Sequence, residues 1–158
     1  MISQWEQFMV ESNDIEGECG LNPKDTEVMR WIMNNKLENG DQLMKLHGML
    51  TEHLDVPWSG KYRECDVRVG HHIPPGYLSI PFKMATFWKH YPNMTAFEAH
   101  NIYEHIHPFE DFNGRTGRLI WLNKAKDEGY DFNIPFLHAY YYQTLDYWTI
   151  MKGKKAWD

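Results

Sequence analysis

Cysteine is scarce. Cys19 and Cys65 are the two in 158 residues, and their spacing matches no metal-binding pattern. They read as free thiols in a reducing compartment, so a cytoplasmic location is expected, whether the cell's own or a host's. Positive charge is also short. Sixteen Lys and Arg face 22 Asp and Glu, a formal net charge of −6. A general nucleic-acid binder carries the opposite surplus, so no nucleic acid is expected as partner, although a local basic pocket stays open. No apolar run approaches the ~18 residues of a membrane span, and no membrane partner is expected. The opening MISQWEQFMVESNDIE lacks the basic start and apolar run of a signal peptide. Internal repeats, low-complexity tracts, phosphate-binding Walker loops and dinucleotide glycine loops are all missing. His100, His105 and His107 cluster, with His71 and His72 upstream, but no HExxH or Cys/His zinc pattern accompanies them. What the chain does hold is 42% apolar residues, 15% aromatic, enough to bury a sizeable core in one compact domain.

Punctuation divides that core into helices. Trp5, Phe8, Met9 and Ile15 fall near helical spacing, ended by Gly17 and Gly20. Asn22 suits an N-cap and Pro23 a first helical position; Val28, Met29, Ile32 and Leu37 give the apolar face, and Gly40 stops it. Asp41 can cap a helix striped by Leu43, Leu46, Leu50 and Leu54. VPWSGKYRE reads as loop. Asp66 to Val69 alternates polar and apolar before Gly70 and Pro74-Pro75, the pattern of a short β-hairpin or extended flap. Ile80, Met84, Phe87 and Trp88 restore helical spacing. Thr95 and Glu98 form a capping box for a helix through Ala99, Ile102 and Ile106. A last long helix is expected from Pro135 through Leu137, Tyr141, Leu145 and Trp148. His47, His53, His90 and His138 read as surface or packing residues.

The chemistry concentrates in HIHPFEDFNGRTGRLIW, residues 105–121. His107 precedes a proline, which ends the helix from Thr95 there. Asn113-Gly114 permits unusual backbone angles and close approach of a ligand. The next helix starts near Gly114, with Leu119, Ile120 and Leu122 turned to the core. A loop feeding a helix N-terminus offers free N–H groups to an anion. Arg115 and Arg118, three apart, share a face and suit phosphate oxygens. Asp111 would repel a bare phosphate, a conflict removed if it holds Mg²⁺ bridging the phosphates. His107 stands where a general base could take a proton from an attacking hydroxyl. Any one of these residues could serve a plain ion pair at a helix start. The set within twelve residues points to phosphoryl or nucleotidyl transfer from a Mg²⁺-nucleotide.

HPFEDFNGRTGR resembles the signature of Fic-domain proteins, His-x-Phe-x-(Asp/Glu)-(Gly/Ala)-Asn-(Gly/Lys)-Arg-x-x-Arg. His107, Phe109, Asp111, Asn113, Gly114, Arg115 and Arg118 all match. The likeness runs from roughly Leu43 to Trp148, through PWSGKYRECDVRVG, the IPP segment and the tyrosine-bearing AYYYQTL. It implies an all-α Fic-type domain with a small β-hairpin flap, residues 1–158 forming one domain with a core at 41–150. It implies transfer of AMP from ATP to a Ser, Thr or Tyr hydroxyl of a target protein, with self-modification as a side outcome. His107 would be the base and Asp111 the Mg²⁺ ligand. Phe112, Asn113 and Gly114 would line the α-phosphate site, with Arg115 and Arg118 on the β- and γ-phosphates. Val67, Arg68, Val69 and Gly70 would dock the target segment as an added strand. Phe109 reads as a core anchor.

SNDIEGE resembles the family's inhibitory motif, (Ser/Thr)-x-x-x-Glu-(Gly/Asn), in the subgroup with an N-terminal inhibitory helix, here residues 1–20. The resemblance implies that Glu16, supported by Ser12, pairs with Arg118 and blocks productive placement of the γ-phosphate. Phe112 departs from the pattern, which has Gly or Ala there. Its ring leaves two alternatives: another phosphate-containing donor on the same fold, or a catalytically silent Fic-like module that binds nucleotide or protein. Gly114 instead of Lys favours nucleotidyl transfer over the phosphotransfer of a minority branch.

Overall fold

The computed structural model describes residues 3–129. The chain divides into two compact units, one spanning residues 21–130, while residues 1–20 belong to the other. The first unit carries five helices: α2 (Pro23–Asn34), α3 (Gly40–Thr51), α4 (Ile80–His90), α5 (Ala96–Ile106) and α6 (Asn113–Ala125). Preceding them, in residues 1–20, is α1 (Gln4–Ile15). The helix expected from Pro135, with the tyrosines of AYYYQTL, lies outside the described residues.

Local chemistry explains most boundaries. Asn22 caps α2 by accepting the Lys24 and Asp25 N–H groups, and Asp25 returns a bond to the Asn22 N–H. The expected Thr95–Glu98 box closes α5 in the same way. Two boundaries differ from expectation. Asn39, not Asp41, caps α3, accepting the Gln42 N–H at 3.0 Å. That helix ends at Thr51, so Leu54 leaves the stripe and is 40% exposed. Likewise α2 stops at Asn34, before Leu37 and Gly40. Its last carbonyls turn to α6 instead: the Asn123 amide donates to Ile32 and Asn35, and Lys126 Nζ donates to the same two oxygens. The Leu37 N–H in turn donates to Asn123 Oδ1 at 2.9 Å, which carries the leucine into the core from outside the helix.

The core of residues 21–130 forms where α5 packs on α6 and α4, α2 on α3 and α6, and α3 on α4. Ile80, Tyr103, Leu119, Ile120 and Leu122 are fully buried there. Each such side chain contributes about 1.5–3 kcal/mol relative to exposure. The α5–α6 crossing is close because of Gly117. A Cβ there would collide with Glu104 Oε1 and stand 2.9 Å from the Tyr103 ring.

The flap is not the β-hairpin expected. Among the described residues there is no strand, only a single antiparallel bridge between Val69 and His72. Their N–H and C=O groups exchange bonds of 3.0 and 2.9 Å around Gly70, whose φ of 57° needs glycine. The ladder cannot extend on one side because Pro74 and Pro75 have no N–H to donate. The segment is shaped by side chains instead. Arg63 donates to the carbonyls of Cys65 and Pro75, closing both ends of an arch, and Asp66 accepts the Tyr77 N–H.

Candidate active site

The motif loop spans the end of α5 and the start of α6. Its two ends both hold a β-carbon residue in the left-handed region: His107 at φ 51°, ψ 63° and Phe112 at φ 61°, ψ 18°. The proline after His107 predicts a helix end with extended backbone; the helix does end, but by a left-handed cap. The His107 N–H still reaches Tyr103 O at 2.9 Å, which the cap geometry allows. Each left-handed residue costs about 1–2 kcal/mol, so surrounding bonds must hold the shape.

Three buried side chains do so. Asn113 clamps the loop on itself: its Oδ1 accepts the Phe109 N–H at 2.9 Å and its Nδ2 donates to Phe109 O at 2.8 Å. Arg63 donates Nε–H to His107 O at 2.8 Å while its N–H bonds Pro108 O. One guanidinium therefore ties the candidate base to both ends of the flap arch. Burial pulls the Arg63 pKa below its usual value. Third, His47 of α3 accepts the Gly60 N–H at Nδ1 and lies 3.0 Å from Asp111 O at Nε2. Gly60 can only donate and Asp111 O only accept, so the neutral ring carries its proton on Nε2. The imidazole also stacks on Phe109, centroids 3.8 Å apart. Burial lowers its pKa to about 4, keeping it neutral, with the Asp111 carbonyl and charge opposing. Phe109, fully buried, is the expected core anchor.

Asp111 is exposed, and its Oδ1 accepts the Phe112 N–H at 2.6 Å, which orients the carboxylate. Gly114 and Arg115 lie in the first turn of α6. Side chains cap α1, α2, α3 and α5, but none caps α6, and its first turn has no acid. Arg115 and Arg118 are buried. The Arg115 guanidinium lies 3.4 Å over the Phe112 ring, a cation–π contact. His107 Nδ1 is 3.7 Å from Glu104 Oε2. In the flap, Val67 is half-buried, while Arg68, Val69 and Gly70 are exposed. His72 Nε2 lies 3.0 Å from His105 O, joining the flap to the last turn of α5. No group of three or more His, Cys, Asp or Glu among the described residues could hold a metal by itself. No helix among them is long and apolar enough to cross a membrane.

In residues 1–20, Ser12 is buried in α1 and Glu16 is its exposed C-cap, the N–H bonded to Asn13 O. Sequence reasoning missed Arg63 and Glu104, and took His47 for a surface or packing residue. The signal for His47 was its place on the buried α3 face between Leu46 and Leu50. For Glu104 it was the three-residue spacing to His107. Nothing in the sequence singled out Arg63.

The sequence profile of the Fic/DOC family matches residues 38–123, from the start of α3 into α6. The chain belongs to the Fic/DOC family. Curated relatives named protein adenylyltransferase Fic, from Culex quinquefasciatus and Drosophila melanogaster, are each 36% identical over 97 residues. These alignments cover 56% of this chain and 19–20% of those proteins, so it spans about a fifth of their length. The fold is shared with a Fic family protein from Desulfovibrio desulfuricans (TM-score 0.67, 94% of this chain and 56% of that one). It is shared also with a Fic domain-containing signaling protein from Bacteroides thetaiotaomicron (TM-score 0.69, 95% and 73%). Both are 21% identical.

Proposed function

We propose that this Fic/DOC chain is a protein adenylyltransferase that moves AMP from ATP to a Ser, Thr or Tyr hydroxyl of a target protein, restrained by Glu16. The observation that carries the reading is the motif loop. An uncapped helix N-terminus and two buried arginines meet there, one short loop from a histidine held at a helix exit. In the step, His107 takes the proton of the target hydroxyl. The oxygen bonds the α-phosphorus, the bond to the β-phosphate breaks, and pyrophosphate leaves. The backbone N–H groups of Asn113 and Gly114 receive the α-phosphate, beside the Phe112 N–H that Asp111 Oδ1 engages in this structure, and Arg115 and Arg118 the departing phosphates. Asn113, its amide engaged with Phe109, serves mainly by holding the loop.

The donor set fits Mg²⁺ that arrives with phosphates, since one exposed carboxylate suits an ion that takes its other ligands from water and substrate. Asp111 would hold it, and the ion would neutralise the phosphate charge. The Val67–Gly70 edge, half-buried at Val67 and exposed from Arg68 to Gly70, is where an extended target segment would lie, with Ile73 75% exposed just beyond it.

Support for restraint by Glu16 comes from the motif and from its place. A carboxylate at a helix C-terminus meets the negative end of the dipole, and α1 has no basic residue in its last turn. The partner that the motif assigns to it is Arg118. A second reading is favoured by one contact. The Phe112 ring under Arg115 could withhold that arginine from ATP, leaving another donor or a silent binding module.

The test is label transfer to the chain and to a lysate with α- or γ-labelled ATP and Mg²⁺, for wild type and His107→Ala. Transfer of the α-label alone, lost in the variant with nucleotide binding kept, is expected. Transfer of the γ-label would overturn nucleotidyl transfer, and binding without transfer would favour the module.

A further inference from the structure

Glu104 sits three residues before His107 on α5, and its carboxylate is almost enclosed. The side chains of His107 and Glu104 are 16% and 13% exposed, with Nδ1 and Oε2 3.7 Å apart. That is beyond a hydrogen bond and within ion-pair reach. Both His107 Nδ1 and Glu104 Oε1 are buried without a hydrogen-bond partner among the described residues. A buried polar atom left unmatched is costly, and one on each partner of a close pair calls for a reason. Space is made for this carboxylate, because any β-carbon at position 117 of α6 would strike it. The Arg63 bond to His107 O fixes the histidine's backbone but leaves its ring to be fixed from elsewhere.

We propose that Glu104 is the positioning residue of His107, a carboxylate that holds the ring by Nδ1 and meets the imidazolium charge as it forms. This rests on the reading of His107 as the base. With Nδ1–H turned to Glu104, the lone pair of Nε2 is left for the target hydroxyl. When that proton moves to Nε2, the ring becomes cationic beside the Glu104 carboxylate, 3.7 Å away. Such bonds are commonly long before substrate binds and shorten in the reacting complex. The other charged and titratable groups around this stretch are His100 and His105 on α5, Arg115 and Arg118 on α6, Asp111 in the loop, Arg63 at the His107 carbonyl and His72 over His105. His100 feels both Glu104 and Arg118, one favouring its proton and one opposing it, beneath a larger effect of burial.

The test uses the full chain with ¹⁵N-labelled histidine. The ring ¹⁵N signals give the tautomer of His107 without any need for activity. In wild type the proton should reside on Nδ1. In Glu104→Leu, close in size but without an acceptor, the tautomer should shift toward Nε2–H, and Glu104→Asp should retain part of the wild-type pattern. Glu104→Gln, whose amide oxygen can still accept from Nδ1 but carries no charge, should keep the tautomer and, where AMP transfer is measured, lose about tenfold in kcat with the KM for ATP unchanged. An unchanged His107 tautomer in a folded Glu104→Leu chain would overturn the proposal. A shifted tautomer in a chain that transfers nothing would leave the pair standing and remove the proposed function instead.

Discussion

Phe112 is where this chain leaves its family pattern, and the structure explains what is at stake. The position is left-handed, as the glycine of the pattern implies, and the phenylalanine accepts that strain. Its ring is buried and carries Arg115 upon it. Phe112→Gly relieves the strain and frees the arginine, whereas Phe112→Ala keeps the strain and removes only the ring. Label transfer should be maintained or raised in both if the ring is what limits donor placement. It should rise in Gly alone if backbone strain limits it. A rate unchanged in both, at several ATP concentrations, would show that position 112 does not govern the donor. His47 offers a second test at this scale. Its pKa is lowered to about 4 from an unfolded value near 6.5 by burial. A depressed pKa means the unfolded chain binds the proton first, so stability is intact above pH 6.5 and drains as pH falls toward 4. Between pH 7 and 4.5 this group alone should cost the fold about 2–3 kcal/mol. His47→Gln should be less stable at pH 7 and lose less on acidification, read by urea unfolding. An equal acid loss in both would place the sensitivity elsewhere. The motif residues were legible because each carries its chemistry in its type and spacing. His47 was not, because a histidine on an apolar helix face looks the same whether it fills space or bonds a loop.

At the level of elements, α5, α6 and the flap are joined by contacts that no periodic pattern announces. Helix starts were readable from Asn22, Pro23 and Thr95, since caps act within three residues. Helix ends at Asn34 and Thr51 were not, because α2 surrenders its last carbonyls to Asn123 and Lys126, some ninety positions away. The flap misled for a related reason. Alternation at 66–69 promised a strand, but its backbone is organised by Arg63, which spends three N–H bonds on His107, Cys65 and Pro75. Lysine cannot reproduce that fork. Arg63→Lys should therefore loosen both the flap and His107, lowering kcat about tenfold or more if His107 is the base as proposed, and raising flap hydrogen exchange. A faster-exchanging flap with normal kcat would separate the flap from His107. The α5–α6 crossing gives a sharper stability test. Gly117→Ala drives a methyl into Glu104 and the Tyr103 ring, and overpacking of this kind costs about 1–3 kcal/mol. Thermal unfolding should register the loss. A variant as stable as wild type would mean that α5 can slide away from α6, carrying Glu104 and His107 with it.

For the whole molecule, the open relation is between residues 1–20 and the motif arginines. Glu16 ends a helix whose last turn has no cation, and Ser12 is buried four residues before it. If Glu16 pairs with Arg118 as proposed, a γ-phosphate must displace a carboxylate to reach that guanidinium. The nucleotide could then bind in a pose unfit for in-line attack, and activity would be lower than affinity. Removing the carboxylate shifts the population toward the competent pose by roughly tenfold for each 1.4 kcal/mol the pair is worth. A partly desolvated pair can be worth a few kcal/mol, because breaking it strands a charge. Glu16→Gly should raise α-label incorporation into the chain itself by ten- to a hundredfold at fixed Mg²⁺-ATP, with nucleotide affinity changed much less. Arg118→Ala should be slow, and combining it with Glu16→Gly should not restore it, since the arginine serves the phosphate once the glutamate is gone. Rescue of Arg118→Ala by Glu16→Gly would mean that the two residues act independently. Equal rates for wild type and Glu16→Gly at saturating Mg²⁺-ATP would remove Glu16 from control of the site.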